Sequence, residues 1–137
     1  MANHHELLVS FPDAAALGLM LGERRRNHAL EAAAADALGD LLMEARLVPD
    51  EALPADRVAM NSRVTYEELP GGARRSVSLA YPVDADAGDG RISVLSPVGL
   101  ALLGRAPGAL VVPAMPDGRA LKIRILALER DALKEAA

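Results

Sequence analysis

The stretch Gly90-Arg91-Ile92-Ser93-Val94-Leu95-Ser96-Pro97-Val98-Gly99-Leu100-Ala101-Leu102-Leu103-Gly104 changes conformation part-way along, and the change can be read residue by residue. Arg91 to Leu95 sets the β-branched Ile92 and Val94 two apart, which predicts a short strand. Ser96 offers a hydroxyl that can accept from a free helical N–H, and Pro97 supplies the fixed φ suited to a first helical position. Together they predict a strand-to-helix corner. The helix is brief, because Gly104 can take the left-handed conformation that closes it and Pro107-Gly108 turns the chain again.

On either side the period is two. Downstream, Leu110 to Ala114 predicts a fourth strand, Pro116-Asp117-Gly118 a hairpin turn, and Leu121, Ile123 and Ile125 alternating with Lys122 and Arg124 a last strand. Upstream, Val58, Met60, Val64 and Tyr66 share one face of a strand, with Asn61, Arg63, Thr65 and Glu67 on the other. The Pro70-Gly71-Gly72 turn then leads into an antiparallel partner carrying Val77, Leu79, Tyr81 and Val83. The expectation is an α+β fold: about five mostly antiparallel strands packed on one short helix.

Phe11 to Leu47 reads differently, being rich in Ala and Leu with no proline after Pro12. Two helices are expected. The first starts at Ser10 or Phe11, with Asp13 at the positive end of its dipole, and ends near Gly22; the second starts around Asn27, with Glu31 in its early turns. Leu30, Ala34, Leu38, Leu41 and Ala45 recur at spacings of three and four, so this face needs a partner helix. The polar, proline-punctuated stretch Val48 to Asp56 is the connector, dividing a short antiparallel helical hairpin (1–52) from a β-rich domain (53–137). The acidic, alanine-rich tail after Glu129 is expected to fray.

Composition narrows the function classes. Hydrophobic residues make up 51% of the 137, but aromatics only 2%, so the core is aliphatic and stacking on bases or proline rings is disfavoured. With no cysteine, disulfides, thiolate zinc sites and cysteine nucleophiles are excluded. A net charge of −4 argues for a protein partner over duplex phosphates, leaving nucleic acid contact at most within a larger complex. Met1 to Leu8 has no basic leader, and no run approaches the ~20 apolar residues of a membrane span, so a cytoplasmic location with no membrane partner is expected. Asp84-Ala85-Asp86-Ala87-Gly88-Asp89-Gly90 begins like a calcium loop, but Asp89 stands where a glycine is required and Leu95 where a glutamate is; a polar hairpin loop is expected instead. His4, His5 and His28 form no ligand set, and no nucleophile triad or phosphate-cradling loop is present. Catalytic residues, cofactor and metal are all expected to be none.

The run Gly90 to Gly104, followed by Pro107-Gly108 and Pro116-Asp117-Gly118-Arg119, is similar to the signature of the Gre transcript-cleavage factors and covers Arg57 to Leu128. More narrowly, Val58-Ala59-Met60-Asn61-Ser62-Arg63-Val64 and Tyr81-Pro82-Val83-Asp84-Ala85-Asp86 resemble the Rnk branch, regulators of nucleoside diphosphate kinase with a shorter hairpin. The resemblance implies an FKBP-like C-terminal domain that docks on the β′ coiled coil of RNA polymerase at the rim of the secondary channel. It assigns that docking to Leu95, Ser96, Pro97, Val98 and Leu100. Gre proteins often carry an acid just before the serine, where this chain has Leu95. They also carry acidic residues at the hairpin tip that help hold a catalytic Mg²⁺, whereas here the tip is Glu23, Arg24, Arg25 and Arg26. Three guanidiniums repel a divalent cation, so the expected function is a non-enzymatic regulator that binds polymerase without stimulating cleavage, with at most an indirect link to the kinase. The rival readings are a cleavage factor proper and, on the FKBP-like fold alone, a peptide binder or prolyl isomerase.

Overall fold

The computed structural model describes residues 6–27, 32–115 and 117–130, with the side chains of 24–27 left aside. A short strand β1 (Leu8–Ser10) runs directly into helix α1 (Phe11–Asn27), followed by α2 (Ala32–Glu44) and strand β2 (Arg46–Val48). Strands β3 (Arg63–Leu69), β4 (Ala73–Ala80) and β5 (Arg91–Ser93) come next, then helix α3 (Pro97–Leu102), β6 (Leu110–Val111) and β7 (Lys122–Glu129). The main sheet has the order β5-β4-β3-β7-β6. All its pairings are antiparallel except β4 with β5. The chain is thus α+β, with helices followed by a five-stranded mixed sheet.

One continuous core joins the two parts. Leu17 and Leu38 from the helices are fully buried together with Val64, Leu79, Val94, Leu102, Leu103, Ile123 and Ile125 from the sheet domain. The aliphatic composition explains how: branched side chains from β3, β4 and β7 alternate inward and interdigitate with the leucines of α1, α2 and α3. α1 is pinned at its start. The Ser10 hydroxyl accepts from Asp13 N at 3.2 Å, and the Asp13 carboxylate accepts from Met60 N at 3.0 Å, so a helix cap doubles as an anchor to the sheet domain.

Several expectations need correcting. α1 does not end near Gly22 but continues to Asn27, so Glu23 to Arg26 form its last turns rather than a loop, and Asn27 belongs to α1 rather than to the start of α2. Gly22 costs about 1 kcal/mol relative to Ala in a helix interior. The three arginines that follow are good helix formers whose charges suit the negative end of the dipole, which offsets that cost. Leu30 and Glu31 lie outside the described residues, as does the tail beyond Arg130. Leu47 is not helical: β2 lies parallel to β1, with Leu8 opposite Arg46.

In the sheet domain, Val58 and Met60 are buried as the alternation requires, yet β3 starts only at Arg63. Asn61 has a positive φ of 69°, and the Ser62 hydroxyl accepts from Ala59 N at 2.9 Å, a side-chain turn that competes with the ladder. β4 stops at Ala80 because Pro82 opens a 3₁₀ turn, which leaves Val83 at 89% exposure. β5 ends at Ser93 and is parallel to β4, so the two are joined by a crossover rather than as a hairpin; within that connection an antiparallel Asp86–Arg91 bridge closes a tight polar loop over Ala87 to Gly90. β6 shrinks to two residues, since Pro113 has no N–H to continue the ladder; pairing resumes only at the Ala114–Ala120 bridge.

Candidate docking surface

The corner expected at Ser96-Pro97 is present and tightly determined. Ser96 Oγ accepts from Gly99 N at 3.1 Å and donates to the Ser93 carbonyl at 2.6 Å, while Ser93 Oγ accepts from Leu95 N at 3.0 Å. Pro97 takes the first position of α3. Gly99 has to lack a side chain, because a Cβ there would lie 2.2 Å from the Ser93 carbonyl oxygen. Ser96→Ala is expected to cost about 1 kcal/mol, the usual worth of a helix cap, read as a lowered midpoint in urea denaturation.

The far end of α3 is tied to the base of the helical arm. Gly104, at φ +80°, donates to the Val58 carbonyl at 2.9 Å and accepts from Leu8 N at 3.3 Å. The Arg57 guanidinium, only 2% exposed, donates to the Glu6 carbonyl and, at 3.3 Å, to the Gly104 carbonyl. At the connector, Arg130 donates to the Leu53 carbonyl at 2.9 Å and lies 3.6 Å from the Asp50 carboxylate. Corner, arm and connector therefore hold one another in place.

Beside the corner is an open apolar groove of about 740 Å³. Leu95, Pro97, Leu100 and Ala101 form one wall, α2 supplies a second, and Val112, Pro113 and Ala114, just after β6, close the third side. Three of the five expected docking residues, Leu95, Pro97 and Leu100, thus face one groove. Ser96 is instead occupied as the cap, and Val98 packs against the core. Leu95 is itself 7% exposed, so its role is more support than contact. The α2 wall, including Ala33, Ala37 and Leu41, was missed: Leu41 was assigned to the helix–helix face, and nothing in a run of alanines announces a groove. Of the expected tip, Glu23 is exposed on α1, while the side chains of Arg24, Arg25 and Arg26 lie outside the description.

Burial, and secondarily the nearby Asp13 carboxylate, push the Tyr81 phenol up to about 12 from 10.0. Tyr66 is also raised, first by burial and then by Glu68. A raised phenol stays protonated in the folded chain where the unfolded chain has begun to ionise. Stability from these tyrosines is therefore intact below pH 10 and is lost as pH climbs through the Tyr81 value near 12. Urea midpoints measured between pH 8 and 12 are expected to fall over that window, less steeply for Tyr81→Phe. Among the described residues no helix is long and apolar enough to cross a membrane, and no three His, Asp or Glu side chains gather as a metal site.

A two-helix arm set on a five-stranded sheet, with a serine-capped corner and short α3, is the architecture of a class of bacterial transcription factors. Residues 53–130 match the family described as transcription elongation factor, GreA/GreB, C-terminal domain, and the chain belongs to that family. It is 39% identical over 95 residues to the regulator of nucleoside diphosphate kinase of Escherichia coli K12, covering 69% of this chain and 70% of that one. It is 35% identical over 94 residues to the transcription elongation factor GreA of Syntrophomonas wolfei, covering 69% of this chain and 58% of that one. Among solved structures, a GreA/GreB elongation factor from Nitrosomonas europaea superposes with a TM-score of 0.72 at 31% identity, over 90% of this chain and 98% of that one.

Proposed function

We propose that this chain is a non-enzymatic regulator that docks on RNA polymerase near the rim of the secondary channel, through the domain spanning 53–130, and does not stimulate transcript cleavage. Family membership supports the partner, and the corner with its groove supplies the apolar contact surface. The observation that carries the cleavage-negative part is the end of the arm. α1 has 17 residues, a length of ~25 Å at 1.5 Å per residue, and its last turns hold Arg24, Arg25 and Arg26 with Glu23 as their one carboxylate. Holding a divalent cation in place takes several carboxylate or carbonyl oxygens, and adjacent guanidiniums oppose it. A cytoplasmic location follows from the partner. The kinase connection is read as indirect, resting on the name of the Escherichia coli relative.

Pull-down with purified core polymerase tests the docking. Retention at micromolar concentration, in parallel with a Gre factor, is expected; absence of binding beside a bound Gre factor would sink the proposal. Transcript cleavage restored by this chain in stalled elongation complexes and abolished by Glu23→Ala would overturn the reading of the arm.

A further inference from the structure

Val64, Tyr66, Leu79, Ile123 and Ile125 turn one face of the main sheet toward the helices, so the residues that alternate with them form a second face directed the other way. On β3 these are Arg63, Thr65 and Glu67. The register sets Ser78, Ser76 and Arg74 of β4 beside them on one flank, and Glu129, Ala127 and Arg124 of β7 on the other. Lys122 follows, opposite Leu69. In a chain of net charge −4 this face has the opposite sign, because Arg63, Arg74, Lys122 and Arg124 outnumber Glu67 and Glu129. All four cations are exposed. Arg124 lies 3.6 Å from Glu67, whereas the side chains of Arg63, Arg74 and Lys122 have no ion pair or hydrogen bond among the described residues. Arg63 stands at one end of β3, with Arg74 and Lys122 toward the other, ~20 Å away at about 3.3 Å per residue. Between the two ends the surface is low: Thr65 Oγ1 and Ser76 Oγ are 3.0 Å apart, and Ala127 is opposite Thr65.

We propose that this outer sheet face binds an extended acidic segment of a protein partner, laid along β3 with carboxylates on Arg63 at one end and on Arg74 and Lys122 at the other, and small side chains over the hydroxyls between. Complementary charge names the occupant. A nucleic acid strand fits less well. It carries a phosphate at every nucleotide, so Glu67 and Glu129 oppose it along its length, whereas a polypeptide can space its carboxylates to avoid them. The face also presents no aromatic ring on which a base could stack. Because α3 packs on the other side of the sheet, a chain docked through its corner keeps this face open, and the domain can hold two proteins at once. The inference stands on the sheet register and does not rest on the polymerase reading.

The test uses the full chain. Arg63→Gln and Lys122→Gln, alone and together, remove charge from the two ends at exposed positions; Arg46→Gln, an exposed cation on β2, is the control for net charge. Unchanged thermal midpoints certify that each variant is folded. Three labelled probes are read by fluorescence anisotropy at low salt: a ten-residue peptide of alternating glutamate and serine, its counterpart with glutamine for glutamate, and a ten-nucleotide deoxythymidine strand. The glutamate peptide is expected to bind and to be released by added salt, the glutamine peptide not to bind, and the nucleotide strand to bind more weakly than the glutamate peptide. Each single substitution should weaken the glutamate peptide about threefold and the pair about tenfold, with the control unchanged. Failure of the glutamate peptide to bind, equal binding of the glutamine peptide, a nucleotide strand bound as tightly, or wild-type affinity of the double variant would each overturn the inference. Core polymerase should be retained equally by the double variant and the parent chain; its loss from the double variant would place this face in the polymerase contact and overturn the assignment to a second partner. Polymerase ignored by the parent chain while the glutamate peptide binds would instead sink the docking function and leave this inference standing.

Discussion

Gly99→Ala is expected to destabilise the chain by about 3 kcal/mol or more, although alanine is ordinarily the better helix former. The new methyl would sit 2.2 Å from the Ser93 carbonyl oxygen and 3.0 Å from the Ser96 hydroxyl. Neither neighbour can give way cheaply. The Ser93 carbonyl accepts from both Ser96 N, at 2.9 Å, and Ser96 Oγ, and Ser93 is paired with Ala80 in the sheet. Relief requires α3 to swing away from β5, which opens the contacts of the fully buried Val94 and Leu102. The measurement is the midpoint of urea unfolding followed by circular dichroism. A midpoint within error of the parent chain would show that the corner is looser than its hydrogen bonds imply. Because the groove wall moves with α3, folded Gly99→Ala molecules should also lose affinity for any partner that reads Pro97 and Leu100.

The second large effect is expected at Arg57. Its guanidinium is buried at the junction of three segments and donates to the Glu6 and Gly104 carbonyls. Hydrogen bonds from a charged donor contribute more than neutral ones, and truncation removes the guanidinium from the Glu6 carbonyl and leaves the Gly104 carbonyl with Leu8 N alone of the two donors described above. Arg57→Ala should therefore cost about 3 kcal/mol. The loss should be uneven. Amide exchange is expected to accelerate first at Leu8 and Gly104, whose N–H groups bond across this junction, while the β3–β7 pairing stays protected. Uniform acceleration across the sheet would contradict the assignment of Arg57 as a clamp between arm and corner.

The corner was legible because its determinants are local. A hydroxyl, a proline ring and a glycine within a few residues dictate cap, first turn and close, and each performs the expected role. Alternation likewise identified the inward residues of β3 and β7, including Val64, Tyr66, Ile123 and Ile125. The β1–β2 pair was not legible: each strand has three residues, and its partner lies beyond both helices, so no local period marks it. The extension of α1 past Gly22 was misread because glycine was weighed as a terminator, without weighing the propensity and dipole preference of the arginines after it. The parallel setting of β5 followed from nothing in its own sequence, since a polar loop serves a crossover as readily as a hairpin. For the candidate surface, Pro97 and Leu100 were found from their place in the corner. The α2 wall was hidden, because alanine is equally at home in a core, on a surface or beside a groove.

The most direct test of the central claim is a competition experiment on stalled elongation complexes. A Gre cleavage factor is held at a fixed, sub-saturating concentration, this chain is titrated in, and shortened transcripts are counted. If the chain docks at the same rim with an arm unable to support metal chemistry, cleavage falls with each addition and the chain alone yields none. Cleavage that is unaffected at a large excess of this chain, or that rises as it is added, contradicts the account.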